Sequence, residues 1–172
     1  MASIVFFVAP VNYRDEELQE PKDVMEAKGI YTVVASIGRG TARGKLGGTA
    51  NCELGVNEID PNRYEGIIFV GGPGVIEQRF PDNPAVIQLA QKFAAAGKVV
   101  AAICVAPRIL AKAGLLNGKK ATVFNDPESI TLLQQAGAKY SGKDVEVDGK
   151  IVTANGPTVA KRFGERVAAL VK

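Results

Sequence analysis

The stretch Val99-Val100-Ala101-Ala102-Ile103-Cys104-Val105-Ala106-Pro107 decides the fold. Five apolar residues come first, too few for a helix and rich enough in β-branched and small side chains for a strand buried on both faces of a parallel sheet. After Pro107, Ile109, Leu110 and Ala113 fall on one helical face and Gly114 stops the run. A strand that ends, turns at one residue and becomes a helix is the geometry of a nucleophile elbow, although the letters G-x-S-x-G are absent. Ala101, Ala102 and Ala106 allow strand and helix to approach closely. Such a turn holds Cys104 in a strained backbone region and aims its sulfur into a site.

The same alternation extends in both directions. Ser3–Ala9 is a continuous apolar run that predicts a buried strand. Arg14–Lys28 predicts a helix with Leu18, Val24, Met25 and Ala27 inward, bent at Pro21. Ile30–Ser36 completes the first β-α-β unit. Gly38–Gly55, rich in glycine and short polar residues, predicts a small antiparallel hairpin on the sheet edge. Gly66–Val70 is the next strand and ends in Gly71-Gly72-Pro73-Gly74. Asn83-Pro84 supplies a cap and a first-turn proline for a helix with Val86, Leu89, Ala90, Phe93 and Ala94 inward. Downstream of the elbow come a strand over Lys120–Phe124 and a helix from Asp126-Pro127 to Gly137. A hairpin over Asp144–Ala154 turns at Asp148-Gly149. A last helix opens at Gly156-Pro157, with Val159, Phe163, Val167 and Leu170 inward.

Strands alternating with helices predict a flavodoxin-like or Rossmann-like, doubly wound, mainly parallel sheet with helices on both faces and a small edge hairpin. A length of 172 residues fits one domain, 1–172. Sites in such sheets lie at the carboxyl ends of the strands. Three features meet there: the turn Asn12–Glu17, the Gly71–Gly74 loop and Cys104.

Composition removes several chemistries. The chain has no histidine, which excludes a Ser-His-Asp triad, a Cys-His dyad and any histidine-ligated metal, even across a homo-oligomer interface. Cys52 and Cys104 lack a metal-ligand spacing, and no disulfide framework is expected. A net charge of +3 is too small to predict a nucleic-acid partner. No apolar stretch is long enough for a bilayer, so no membrane is expected. No signal peptide is read, and the cytoplasm is the expected location.

Unpaired N–H groups and the partial positive charge at the helix start favour a thiolate, so the Cys104 pKa is expected below the free value of about 8.5. A cysteine after an apolar strand is usually inert core; its position at the elbow reverses that preference. Among Asp15, Glu16 and Glu17 the residues alone name no partner acid. Gly71-Gly72-Pro73-Gly74 matches neither phosphate-binding glycine pattern. Gly38-Arg39-Gly40 with Arg43 and Lys45 reads as a solvated hairpin, and Asp126 as a helix cap, with a distant second role as an acid at the site rim.

Read together, A-A-I-C-x-x-P at 101–107, A-G-L-L-x-G-K-K-A-T at 113–122, V-V-A-S at 33–36, the Gly71-Gly72 loop, V-D-G-K-I-V-T-A at 147–154 and Gly156-Pro157 resemble the DJ-one/ThiJ/PfpI superfamily over nearly the whole chain. The resemblance is nearer the DJ-one branch than the histidine-containing PfpI proteases. It implies that Cys104 is nucleophile and oxidation site, that Glu17, four residues before Pro21, is the acid beside the sulfur, and that the backbone N–H groups of Gly72 and Val105 form an oxyanion pocket. A protonated Glu17 would donate to the thiolate, so a neutral Glu17 is expected at neutral pH. Val105 stands where PfpI-type proteases have histidine, which removes the protease's base. Phe124 stands where glyoxalases and deglycases of the family often place one. Ala106 and Val70 replace the family's usual Gly and Pro.

The implied activity is glyoxalase- or deglycase-like: a cysteine-dependent stress-response protein acting on small reactive carbonyls or their glycation adducts, with Glu17 moving the proton. A non-enzymatic redox sensor or chaperone acting through Cys104 oxidation is the second expectation, and an amidase-like hydrolase the third. The resemblance implies no cofactor and no metal, a small electrophilic substrate, and a homodimer or higher homo-oligomer, with Cys52 near the region where the family commonly dimerises.

Overall fold

In the computed structural model, which describes residues 1–171, the continuous apolar runs are the parallel strands at the centre of the molecule. In chain order the elements are β1 (Ser3–Phe7), β2 (Val11–Tyr13), α1 (Asp15–Ala27), β3 (Tyr31–Ser36), β4 (Gly40–Gly44), β5 (Thr49–Cys52), β6 (Leu54–Gly55) and β7 (Gly66–Phe69). They continue with α2 (Pro73–Glu77), α3 (Pro84–Ala95), β8 (Val99–Ile103), α4 (Pro107–Lys112), β9 (Lys120–Ala121), α5 (Pro127–Gln135), β10 (Lys139–Tyr140), β11 (Val145–Asp148), β12 (Ile151–Ala154) and α6 (Ala160–Leu170). Lys172, the last residue of the expected domain, lies outside the described residues.

The main sheet has seven strands in the order β11-β12-β8-β7-β1-β3-β6, parallel except for β11. From β1 the chain steps one way to β3, and from β7 it steps the other way to β8. Right-handed crossovers therefore place α1 and α3 on opposite faces. The order reverses between β1 and β7, the switch point at whose carboxyl ends sites of such sheets lie. Burial explains the strand composition: Ile4, Val5, Phe6, Ile67, Ile68, Phe69 and Val100–Ile103 are all fully covered.

Several expectations change. The hairpin over 38–55 is not on the edge of the main sheet. Its strands β4 and β5 join β2, parallel to β4, in a separate three-stranded sheet. Only β6 extends the main sheet beside β3. The 120–124 strand shrinks to β9, paired with β10 in a two-stranded sheet. Helix α1 runs through Pro21 as one element. Pro21 is buried where a Cβ on Gly164 would lie 2.7 Å from its Cα, so the proline packs into the α1–α6 crossing. Leu170 is 38% exposed and Ala27 is also exposed; both were expected inward. The Asn83 cap is present, its side-chain oxygen accepting from the N–H groups of Ala85 and Val86.

Candidate active site

Cys104 follows β8 and has φ = 65°, the left-handed region that costs a non-glycine residue about 1–2 kcal/mol. Both of its backbone polar groups are held. Its N–H donates to the Ala154 carbonyl at 2.9 Å, and its carbonyl accepts from the Phe124 N–H at 2.7 Å. The end of β12 and the segment after β9 thus clasp the residue from two sides. Its side chain reaches the surface by a narrow margin, 8% of the residue being exposed.

Glu17 arrives from the first turn of α1 and is 0% exposed. A Cβ on Gly71 would lie 2.5 Å from Glu17 Oε1 and 2.6 Å from Cys104 Cβ, so carboxyl, elbow and glycine occupy one small volume. Gly72 has φ = 116°, and a Cβ there would lie 2.5 Å from the Arg14 nitrogen and 2.8 Å from the Asn12 oxygen. Only glycine allows the loop after β7 to press against residues 12–14, which the Arg14 N–H also ties to the Gly71 carbonyl at 2.9 Å. This contact joins the turn after β1 to the loop after β7 and seats Glu17 beside the cysteine. Asp15 and Glu16 point elsewhere. Asp15 accepts from the N–H groups of Leu46 and Gly48 at 2.8 and 2.7 Å, and Glu16 pairs with both arms of the Arg14 guanidinium at 2.9 and 3.0 Å.

Burial pushes the Glu17 carboxyl up to about 8. Cys104, the Gly71 N–H and the Arg14 charge lower it by less than burial raises it. The Gly71 N–H and the sulfur lie beside the carboxyl without completing a hydrogen bond, and both carboxyl oxygens are buried without a partner. A neutral Glu17 at neutral pH therefore has a physical basis in the fold. The expected acidic thiol does not. Burial first, and the Glu17 charge second, push the Cys104 thiol well above its ordinary value, while the Val105 and Gly72 N–H groups lower it by less. Burial is the larger cause, and α4, six residues long and beginning only at Pro107, offers little helix dipole to offset it.

The structure thus brings together Cys104, Glu17, Gly72 and Val105. Asp126 stands apart from them. One of its oxygens accepts from the Ser129 N–H at 2.6 Å as the cap of α5, and its carboxylate also receives Arg108 and the Ser129 hydroxyl. Cys52 is a free, buried thiol on β5. Arg39 pairs with Glu58. A cleft of ≈ 730 Å³ lined by Arg79, Arg108, Lys112 and Glu128 opens behind α4, and neither Cys104 nor Glu17 is in its walls. Among the described residues no group of three metal-ligating side chains occurs, and no helix is long and apolar enough to cross a membrane.

Two residues escaped the sequence reading. Arg14 carries the positive charge that acts on both Glu17 and Cys104. Its place just before three acids was the available signal. Arg108 is buried at 8% exposure in the otherwise apolar stretch 99–111, and a lone charge in such a run was its signal.

Residues 2–170 match the model of the DJ-1/PfpI family. An uncharacterised protein of Methanocaldococcus jannaschii is 40% identical over 171 residues, covering 99% of this chain and 83% of its own length. A deglycase of Thermococcus kodakarensis is 32% identical over 158 residues, covering 89% and 90%. The crystal structure of a ThiJ/PfpI domain protein from Brachyspira murdochii superposes with a TM-score of 0.93 at 34% identity, covering 98% of this chain and 95% of its own.

Proposed function

We infer, because the chain belongs to the DJ-1/PfpI family, that it is a cysteine-dependent enzyme of glyoxalase or deglycase type. Its substrates are small reactive carbonyls or their glycation adducts. The observation that carries this reading is a fully buried, partnerless carboxyl, Glu17, beside a cysteine held in a left-handed elbow. Burying an unsatisfied acid is costly, and a fold retains one where a proton has to move. The deglycase of Thermococcus kodakarensis, alike over most of both chains, supports the same class.

With methylglyoxal the steps balance as follows. Cys104 Sγ bonds to the aldehyde carbon, and the thiol proton passes to the ionised fraction of Glu17. The carbonyl electrons become an oxyanion, for which the Gly72 and Val105 N–H groups are the nearby donors. Glu17 returns the proton to that oxygen. It then takes the proton from the sulfur-bearing carbon and delivers it to the neighbouring carbon, while the hydroxyl proton on the sulfur-bearing carbon passes to the former ketone oxygen, leaving a hydroxyacyl thioester. Water cleaves the thioester, hydroxyl going to the acyl carbon and hydrogen to sulfur. The sum is one aldehyde plus one water giving one hydroxy acid.

The test is methylglyoxal consumption by wild type beside Cys104→Ser, with the product identified. Hydroxy acid formed by wild type and lost in the variant is expected. No turnover by wild type, of methylglyoxal or of a glycated amino acid, would overturn the reading.

A further inference from the structure

We propose that Arg108 is a positioning residue for Cys104, acting through Asp126 and Ser129 on the segment that holds the elbow. The proposal rests on Cys104 being the reactive centre. Arg108 lies one helical turn after Cys104, yet its side chain points away from the sulfur. Its Nε donates to Ser129 Oγ at 2.7 Å, and its guanidinium reaches Asp126 Oδ1 at 3.4 Å. Ser129 is fully buried and also bonds Asp126 through its N–H and hydroxyl. Asp126 in turn donates its N–H to the Phe124 carbonyl at 2.8 Å, and the Phe124 N–H donates to the Cys104 carbonyl at 2.7 Å.

These contacts close a ring. It leaves the elbow at Cys104, runs through 124–126, and returns to the same segment at Arg108. A left-handed cysteine persists only while its surroundings over-determine it. Here Phe124 supplies half of the backbone hydrogen bonding of that residue, and the Arg108 fork anchors the segment that carries Phe124. Arg108 touches no reacting atom, so its effect runs entirely through placement. Release of the ring frees the Cys104 carbonyl, lets the elbow relax and admits water to the sulfur.

The experiment compares iodoacetamide modification of Cys104 and of Cys52, resolved by peptide mass spectrometry, in wild type and Arg108→Met. A charge-assisted, mostly buried hydrogen bond is lost, so Cys104 should react about tenfold faster with Cys52 unchanged. Turnover, where measured, should fall. Ser129→Ala, which removes only the bridge, should give a smaller rise of the same selectivity, and it serves if Arg108→Met folds poorly. Lys112→Met, exposed on the same helix, should change nothing. Unchanged Cys104 reactivity in both variants would overturn the proposal, as would a joint rise of Cys104 and Cys52, which reports general loosening. Because the readout needs no turnover, it separates this proposal from the carbonyl reading.

Discussion

Replacing Glu17 with Gln keeps the shape of the buried side chain and removes its charge. In wild type the carboxyl loses its proton at about 8, before the thiol, so the thiol titrates against a carboxylate already ionised. Oε1 and Cys104 Cβ both lie within 2.6 Å of the point a Gly71 Cβ would occupy. Two charges about 5 Å apart at an effective dielectric of ~20 repel by about 3 kcal/mol, or about 2 pKa units. Glu17→Gln should therefore lower the Cys104 pKa by about that much while leaving it above the free value, because burial remains. The assay is the pH dependence of Cys104 alkylation, followed on its own peptide so that Cys52 does not contribute. Turnover should fall by about 10²–10⁴ despite the more available thiolate, because the proton has lost its carrier. A thiol pKa that rises or stays fixed would refute the reasoning. It would mean that Glu17 acts as a proton donor to a thiolate, and that the pair shares its proton in the opposite sense.

Three further outcomes follow from the same geometry. The Glu17 carboxyl titrates near 4.5 unfolded and at about 8 folded, so the native state holds the extra proton between them. Stability to urea should therefore fall as pH rises across that window, by up to roughly 1.4 kcal/mol per pH unit, and Glu17→Gln should flatten the slope. Cys104→Gly should be about 1 kcal/mol more stable than Cys104→Ala by thermal melting, because only glycine accepts φ = 65° without strain; equal melting points would contradict the strained elbow. Gly71→Ala places a Cβ 2.5 Å from both Glu17 Oε1 and the Ile103 carbonyl. It should cost about 1–3 kcal/mol and remove most activity, and wild-type kinetics in this variant would sink the close packing described.

The fold was legible where one physical signal dominated. The runs at 4–9, 66–70 and 99–103 are free of polar side chains because both faces of the sheet are covered, and glycine or Asn-Pro punctuation marked the helices between them. Legibility failed where tertiary contacts decide. Pro21 reads as a bend, but the space left by Gly164 on α6 accepts its ring, and that gap is visible only in three dimensions. Val11–Tyr13 is too short for a periodic signal, and it became a strand because β4 lies beside it. At the site, the elbow followed from local sequence, whereas Glu17 stood out from Asp15 and Glu16 only through the family resemblance, and its raised carboxyl rests on burial in the folded chain. The sign of the thiol shift did not follow from local sequence. It depends on how far Cys104 sits below the surface and on the charge of Glu17 packed beside it, and the spacing of residues encodes neither quantity.

The two hydrogen bonds on Cys104 also tie the elbow to parts of the chain synthesised after it. Its N–H needs Ala154 on β12 and its carbonyl needs Phe124, while Glu17 and Gly72 come from segments made long before. Strand β12 joins the sheet next to β8 only after most of the chain exists. On a ribosome, then, the elbow would be synthesised while half of its restraints are still to come. Until residues 124 and 154 are made, the cysteine of a nascent chain lacks both of the bonds that hold its backbone. The held elbow is thus a property of the finished sheet rather than of the segment that carries the sulfur.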